Sequence, residues 1–394
     1  MTWLDLAPDS PFGLANLPYG VFSADEGPRG GVRIGDSVLD LAWALDPVFG
    51  EPSLNAFMAQ GRSRWSEVRA QITELLTDER HRRAVEAALY PLSAVRLHLP
   101  FAVGDYVDFF GNEYHAANAG RLFRPGAEPL TPNWKHLPIG YHGRSGTIAV
   151  SGTPVTRPRG QRPGESGPTF GPSLRLDFEA EVGFVIGAGS SAPVSVSAFA
   201  EHVFGVFLLN DWSSRDLQAW ESLPLGPFLA KSFATSISPW IVPLDALEQA
   251  RVSPPPRDPE PLPYLADTDK WGLDLTLEVR LNGQVVSRPP FAATYWTAAQ
   301  MLAHMTVNGA STRTGDLFAS GTVSGPDRDQ CGCLLELSWG GAEPLVLADG
   351  SVRSYLEDGD EVTISATAPA ACGARIGFGE VAGQILPAAG PPRD

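Results

Sequence analysis

The chain has 394 residues, of which 43% are hydrophobic and 19% charged, an ordinary globular balance, and a prior of one domain per ~150 residues suggests two or three domains. Its net charge of −16 argues against binding the phosphate backbone of nucleic acid. With 41 Gly and 36 Pro, it favours turns and β structure over long helices.

The first residues carry no basic segment followed by an apolar run, and no stretch of about 18 apolar residues occurs, so neither a leader nor a membrane span is expected. Residues 1–100 read as one unit. Strands are predicted at Tyr19-Gly20-Val21-Phe22-Ser23 and over 32–41, where Gly35-Asp36 between two apolar runs signals a hairpin. Trp65, Val68, Ile72, Leu75 and Leu76 then fall on one helical face.

From residue 101 to 394 the pattern is strand-rich with long polar loops. Strands are predicted at 147–151, 177–186, 204–210, 274–281, 316–323, 334–338 and 361–366, and helices from near Ser213 and over 297–304. Residues 157–173, with four Pro and four Gly, read as a mobile loop, and 253–263 as a surface excursion. Cys331 and Cys333 are too close for an easy bridge, Cys372 stands alone, and there is no CxxC pair. A soluble, reduced, cytoplasmic protein is the expectation.

G-x-S-x-G, H-E-x-x-H and a P-loop are all missing from the sequence. The informative features are acids inside apolar runs. Strand alternation predicts Asp177, Glu179 and Glu181 on one face. Asp211 ends the run Phe207-Leu208-Leu209-Asn210, and Asp108 follows Tyr106-Val107. An exposed strand face would solvate such acids. Buried, with no obvious basic neighbour, they call for a hard divalent cation, Mg²⁺ or Ca²⁺. Lys231, in Pro227-Phe228-Leu229-Ala230-Lys231, needs a nearby anion unless it snorkels to the surface. His115 lies seven residues after Asp108, where a lone His is more often structural than catalytic, and His136, His142 and His304 suggest no role.

The chain resembles the fumarylacetoacetase family over nearly its whole length. The resemblance runs from 16–22 through Gly104-Asp105-Tyr106-Val107-Asp108-Phe109, His115-Ala116, Pro132-Asn133-Trp134 and Tyr141-His142-Gly143-Arg144. Its most specific stretch joins Asn210-Asp211-Trp212-Ser213 and Arg215-Asp216 to Gln218, 224–229 and Lys231-Ser232-Phe233. Residues 317–325 and Leu335-Glu336-Leu337-Ser338-Trp339 follow.

The resemblance implies a mainly β or α+β fold, with a small N-terminal SH3-like barrel (1–100) and a larger mixed β-sandwich roll (101–394). It implies a homodimer acting on a small diketo acid. The reaction would cut a C–C bond to yield fumarate and acetoacetate, the last step of tyrosine and phenylalanine breakdown. Metal ligands would be Asp108, Glu179, Glu181 and Asp211. His115 would be the base, oriented by Glu336. Arg215, Gln218 and Lys231 would contact the oxyanion and leaving group. Arg124, Tyr141, Gln218 and Thr322 would touch substrate, and Lys231 with Thr235 would mark a second cation. Phe110 and Ser222 depart from the pattern, standing at substrate-facing positions where the family's characterised animal enzyme has Tyr. The rival expectations are an acylpyruvate hydrolase or oxaloacetate decarboxylase of the same fold, and a metal-binding scaffold without activity.

Overall fold

The computed structural model describes residues 2–7, 9–24 and 26–390. The architecture is mixed α/β, about 27% helix and 29% strand. One large sheet dominates it. Its strands are β1 (Tyr19–Ser23), β2 (Arg29–Ile34), β3 (Ser37–Asp40), β4 (Leu89–Pro91), β5 (Tyr106–Phe109), β6 (Gly140–His142), β7 (Ala180–Ile186), β8 (Val203–Asp211), β9 (Thr235–Ile237), β10 (Trp240–Pro243) and, much later, Leu317–Ala319. The spatial order is β4-β3-β2-β1-β10-β8-β7, then Leu317–Ala319, β5 and β6, with β9 beside β8. A second sheet is built around β11 (Thr276–Leu281), after which Leu317–Ala319 is β12, followed by β13 (Glu361–Pro369) and β14 (Arg375–Leu386).

Local sequence explains the elements. The Gly35-Asp36 turn joins β2 to β3 in register Ile34–Ser37, as the hairpin signal predicts. Helix α1 (Arg62–Thr77) buries Trp65, Val68, Ile72 and Leu76 at helical spacing. Strand β13 alternates cleanly, burying Val362, Ile364, Ala366 and Ala368. By contrast β7 and β8 are buried at every residue, because both faces of the sheet are covered. One face of these strands presents Val182, Phe184, Val206 and Leu208 to the larger core. The other presents Val185, Phe207 and Leu209 to a core shared with Val21, Val32, Phe57 and Val68 of the N-terminal residues.

The N-terminal strands do not close into a barrel among the described residues. Strand β1 divides its edge instead. Tyr19 and Gly20 pair with Ile241 and Trp240 of β10, while Val21–Ser23 pair with residues 96–98. Gly20 permits this junction, since a Cβ there would lie 2.7 Å from both the Trp240 ring and the Pro239 carbonyl oxygen.

Three local expectations are corrected. Residues 157–173 form an antiparallel ribbon, Arg159–Arg162 with Thr169–Pro172, rather than an open loop. The predicted strand over 316–323 is confined to Leu317–Ala319. Residues Leu334–Leu337 form a helical turn, not a strand. The run is buried on all sides, so strand and helix cannot be told apart by periodicity.

Candidate active site

The acids gather at one end of the large sheet. Glu181 shares its strand face with Val185, and Asp211 shares its face with Leu209 and Phe207. Asp108 shares the face of Tyr106 on β5. Alternation therefore points all three carboxylates the same way, and their oxygens lie within 4.8 Å of one another. All three residues are buried. Burial, and then the neighbouring acids, push the carboxyls of Asp108 and Glu181 well above the ordinary range. Asp211 is also raised by burial, despite the opposing pull of Lys231.

Asp177 and Glu179 precede that strand, which begins only at Ala180 after the short strand Leu176–Asp177. They meet cations that the sequence does not place near them. Arg215, which begins helix α3 (Arg215–Glu221), donates from Nε to Asp177 at 2.9 Å and lies 2.5 Å from Glu179. Lys231 donates to both Glu179 and Asp211, the latter at 2.8 Å. Burial would raise the Glu179 carboxyl, but Arg215 and Lys231 outweigh it and hold it well below the usual range. Burial would likewise discharge Lys231, yet Asp211 and Glu179 keep the ammonium firmly protonated. The expectation of no basic neighbours is thus corrected. Thr235 also reaches Asp211, donating from its hydroxyl at 2.8 Å.

Beside this cluster stands a histidine–carboxylate pair. Asn112 caps helix α2 (Glu113–Phe123) by accepting from the His115 amide, which fixes the imidazole one turn inside the helix. Glu336 lies 221 positions away on the turn Leu334–Leu337, and its Oε2 is 2.6 Å from His115 Nδ1. Asp177 anchors that turn by accepting from the amides of Leu334 and Leu335 at 2.7 and 2.9 Å. Glu336 also accepts from Ser324 Oγ at 2.8 Å, Asn118 Nδ2 at 2.9 Å and Cys333 Sγ at 3.2 Å. Burial alone would raise its carboxyl, but His115 and these donors hold it below the ordinary value. An Nδ1–H donated to Glu336 leaves Nε2 as the basic nitrogen.

Asn118, Ser324, Cys333 and Asp177 are the residues that sequence reasoning left without these roles. Helical spacing offers a signal for two of them: Asn118 follows His115 by three residues, and Cys333 precedes Glu336 by three. Burial, with Glu336 next, drives the Cys333 thiol upward, so it is a neutral donor rather than a nucleophile.

The expected substrate contacts are scattered. Tyr141 pairs with Asp108 across β5 and β6. Thr322 carries a buried hydroxyl without a hydrogen-bond partner. Phe110 packs edge-on against the His115 ring, centroids 5.4 Å apart. Gln218 accepts from Arg215 at 3.1 Å. The Ser222 hydroxyl is already engaged with the Gln218 carbonyl at 2.6 Å. Arg124 is exposed at the C-cap of α2 and donates to the Pro129 carbonyl at 2.8 Å.

The donor set fits a hard divalent cation. Both Glu181 oxygens are buried without a hydrogen-bond partner, and three carboxylates converge where like charges repel. Among the described residues no helix is long and apolar enough to cross a membrane.

Comparison with known proteins identifies the family. Residues 15–100 match the family model for the fumarylacetoacetase N-terminal region, and residues 106–385 that for the fumarylacetoacetate (FAA) hydrolase C-terminal region. Fumarylacetoacetase of Bos taurus is 45% identical, with 98% of this chain and 99% of that protein covered. The Homo sapiens protein is 44% identical with the same coverage, and that of Arabidopsis thaliana 45% with 99% of each covered. Among solved structures, a fumarylacetoacetate hydrolase from psychrophilic Exiguobacterium antarcticum gives a TM-score of 0.58 at 18% identity, covering 94% of this chain and 99% of that one. A maleylpyruvate hydrolase from Sphingobium gives 0.55 at 16%, covering 94% and 100%. Those two likenesses speak to the fold alone. The full-length identities, together with both matched regions, make this chain a member of the fumarylacetoacetase family.

Proposed function

We propose that this chain is a hydrolase that cleaves the C–C bond of 4-fumarylacetoacetate to fumarate and acetoacetate. The observation that carries the reading is the buried His115–Glu336 pair standing beside the Asp108, Glu181 and Asp211 cluster. Acylpyruvate hydrolysis, oxaloacetate decarboxylation and an inactive scaffold are not favoured, given about 45% identity to fumarylacetoacetases over the whole length.

The three carboxylates, joined by Glu179 where Lys231 and Arg215 release it, would hold Mg²⁺ or Ca²⁺. Bound there, the cation supplies Lewis-acid polarisation of the substrate oxygens. The protein's own groups do the rest. His115 Nε2 accepts a proton from water as the hydroxide adds to a substrate carbonyl. Glu336 stabilises the imidazolium that results. Arg215, Gln218 and Lys231 offer donors to the tetrahedral oxyanion and the departing enolate. Lys231 is suited to this because its charge is held by its acidic neighbours. The C–C bond breaks, one fragment leaves as the carboxylate of fumarate, and the enolate takes a proton to become acetoacetate. Tyr141, Thr322 and Arg124 would orient the diacid. A second cation near Lys231 and Thr235 would have to use their oxygens, since the ammonium repels it.

We also infer a homodimer, a cytoplasmic location, and a division of the chain near residue 100. The direct test is loss of the diketone absorbance when fumarylacetoacetate is added to the metal-loaded protein. A flat trace, with properly folded protein and bound cation, rejects the assignment.

A further inference from the structure

The proposed substrate poses a charge problem that the assigned residues do not solve. Fumarate carries two carboxylates, one of them created by hydrolysis, and acetoacetate carries one. The intact substrate is therefore a diacid with an anion at each end. Arg124 accounts for one end at most. Lys231, shared between Glu179 and Asp211, is already assigned to the departing enolate, which leaves the carboxylate at the other end without a cation.

A cavity of about 340 Å³ opens directly onto Lys231, and Tyr141, Arg144, Pro227, Phe228 and Ser232 help to line it. Arg124 lies outside this cavity. Arg144 is exposed at its wall, and its guanidinium has no hydrogen-bond or ion-pair partner among the described residues. That is a free cation in a chain with 45 acids against 29 Lys and Arg.

The backbone around Arg144 is pinned on both sides. The Gly143 amide donates to the Tyr106 carbonyl at 2.9 Å, and a Cβ at Gly143 would sit 2.5 Å from the Tyr106 ring. Thr147 Oγ1 donates to the Ser232 carbonyl at 2.9 Å and approaches that of Arg144 at 3.4 Å, tying this loop to the Lys231 segment. The segment is thus held while the guanidinium is left open to the cavity. Such a fork suits bidentate capture of a carboxylate.

We propose that Arg144 is a specificity-determining residue that clamps the carboxylate at the acetoacetate end of the substrate. This rests on the fumarylacetoacetate reading above. It places the leaving fragment between Lys231 and Arg144, with Tyr141 on the same wall.

The test compares Arg144→Gln and Arg144→Lys with the wild-type enzyme on two substrates: the diacid, and fumarylacetone, which lacks the acetoacetate-end carboxylate. Arg144→Gln is expected to lower kcat/KM on the diacid about ten- to a hundredfold, mostly through KM, the usual worth of a hydrogen bond to a charged group. It should change fumarylacetone turnover by less than about twofold, a difference that deletion of a single charge–charge contact predicts. Arg144→Lys should fall between the two. Equal losses on both substrates, or no loss on either, overturn the proposal. A wild-type enzyme silent toward the diacid faults the reaction assignment instead. Arg144 is then decided by calorimetric binding, which supports it only if Arg144→Gln weakens acetoacetate and leaves fumarate unchanged.

Discussion

Two adjoining parts of the site are built on opposite principles. Around Glu336 every polar atom is engaged: His115, Asn118, Ser324 and Cys333 all reach its two oxygens. Glu181 is the reverse: both its oxygens are buried without a partner, and Asp108 and Asp211 crowd it, with Lys231 opposing them only in part. The first arrangement is complete as folded, because one hydrogen bond holds the imidazole and the other three hold the carboxylate that makes it. The second, on the proposed reading, would be complete only when a cation enters. On that reading, one polypeptide would carry a preassembled proton-transfer pair next to a ligand set left open for a cation.

Removing the cation should break the contrast most severely. Chelation is expected to abolish turnover, and Mg²⁺ or Ca²⁺ to restore it, as followed by diketone absorbance. Full activity in protein shown metal-free by elemental analysis refutes the role of the cluster. Stability should respond as well, with a sign that depends on pH. Without the cation, Asp108 and Glu181 have folded pKa values raised above their unfolded values of roughly 4. Their favourable contribution is full below that point and is lost as pH rises through the raised values. The metal-free protein should therefore melt at a lower temperature at pH 8 than at pH 5. Added cation should lift the melting temperature more at pH 8. Glu336 works in the opposite sense. Its lowered folded pKa gives a contribution present above its unfolded value and lost only as pH falls through the folded one.

Disabling the finished half comes next. His115→Ala should cut kcat roughly 10²–10⁴-fold, the common worth of a general base, while cation binding stays close to wild type. A calorimetric titration showing that cation affinity collapses too would mean that the halves are not separable. Glu336→Gln should cost about ten- to a hundredfold in kcat, because the imidazolium loses its charged partner. Near-normal kcat in that variant would leave Glu336 a packing residue.

The smallest expected effect lies at the boundary between the halves. Phe110 packs against the His115 ring. Phe110→Tyr adds a hydroxyl worth about 0.5–1.5 kcal/mol if it meets a substrate oxygen, so KM should fall roughly three- to tenfold with kcat nearly constant. Unchanged constants would show that the missing phenol is compensated. The comparable change at Ser222 is less informative, since that hydroxyl already closes the end of α3.

Much of this is legible in the sequence, and the limits have a physical cause. Acids inside apolar strands are conspicuous, which is why Asp108, Glu181 and Asp211 stand out. The β2–β3 turn and the α1 face follow from local chemistry alone. Pairings across the chain do not. Nothing local announces that Arg215 will neutralise Asp177 and Glu179, because it lies 38 residues from Asp177 in the chain. The turn at Leu334–Leu337 is equally opaque, since uniform burial erases periodicity. The N-terminal strands read as a self-contained unit, yet β1 lends half its edge to Trp240 and Ile241.

The 221-position separation of His115 and Glu336 also sets a clock. A ribosome adds about 5–20 residues per second, so the imidazole emerges roughly 10–45 seconds before the carboxylate that orients it. Asp108, Glu181 and Asp211 all precede Glu336 in the chain as well. Asp108, however, reaches Glu181 and Asp211 only across Leu317–Ala319, the strand between β7 and β5, so the cation ligands too are gathered only when the C-terminal part of the chain has been made. Hydrolytic competence arrives late, when the Leu334–Leu337 turn docks on Asp177 and delivers the acid to His115.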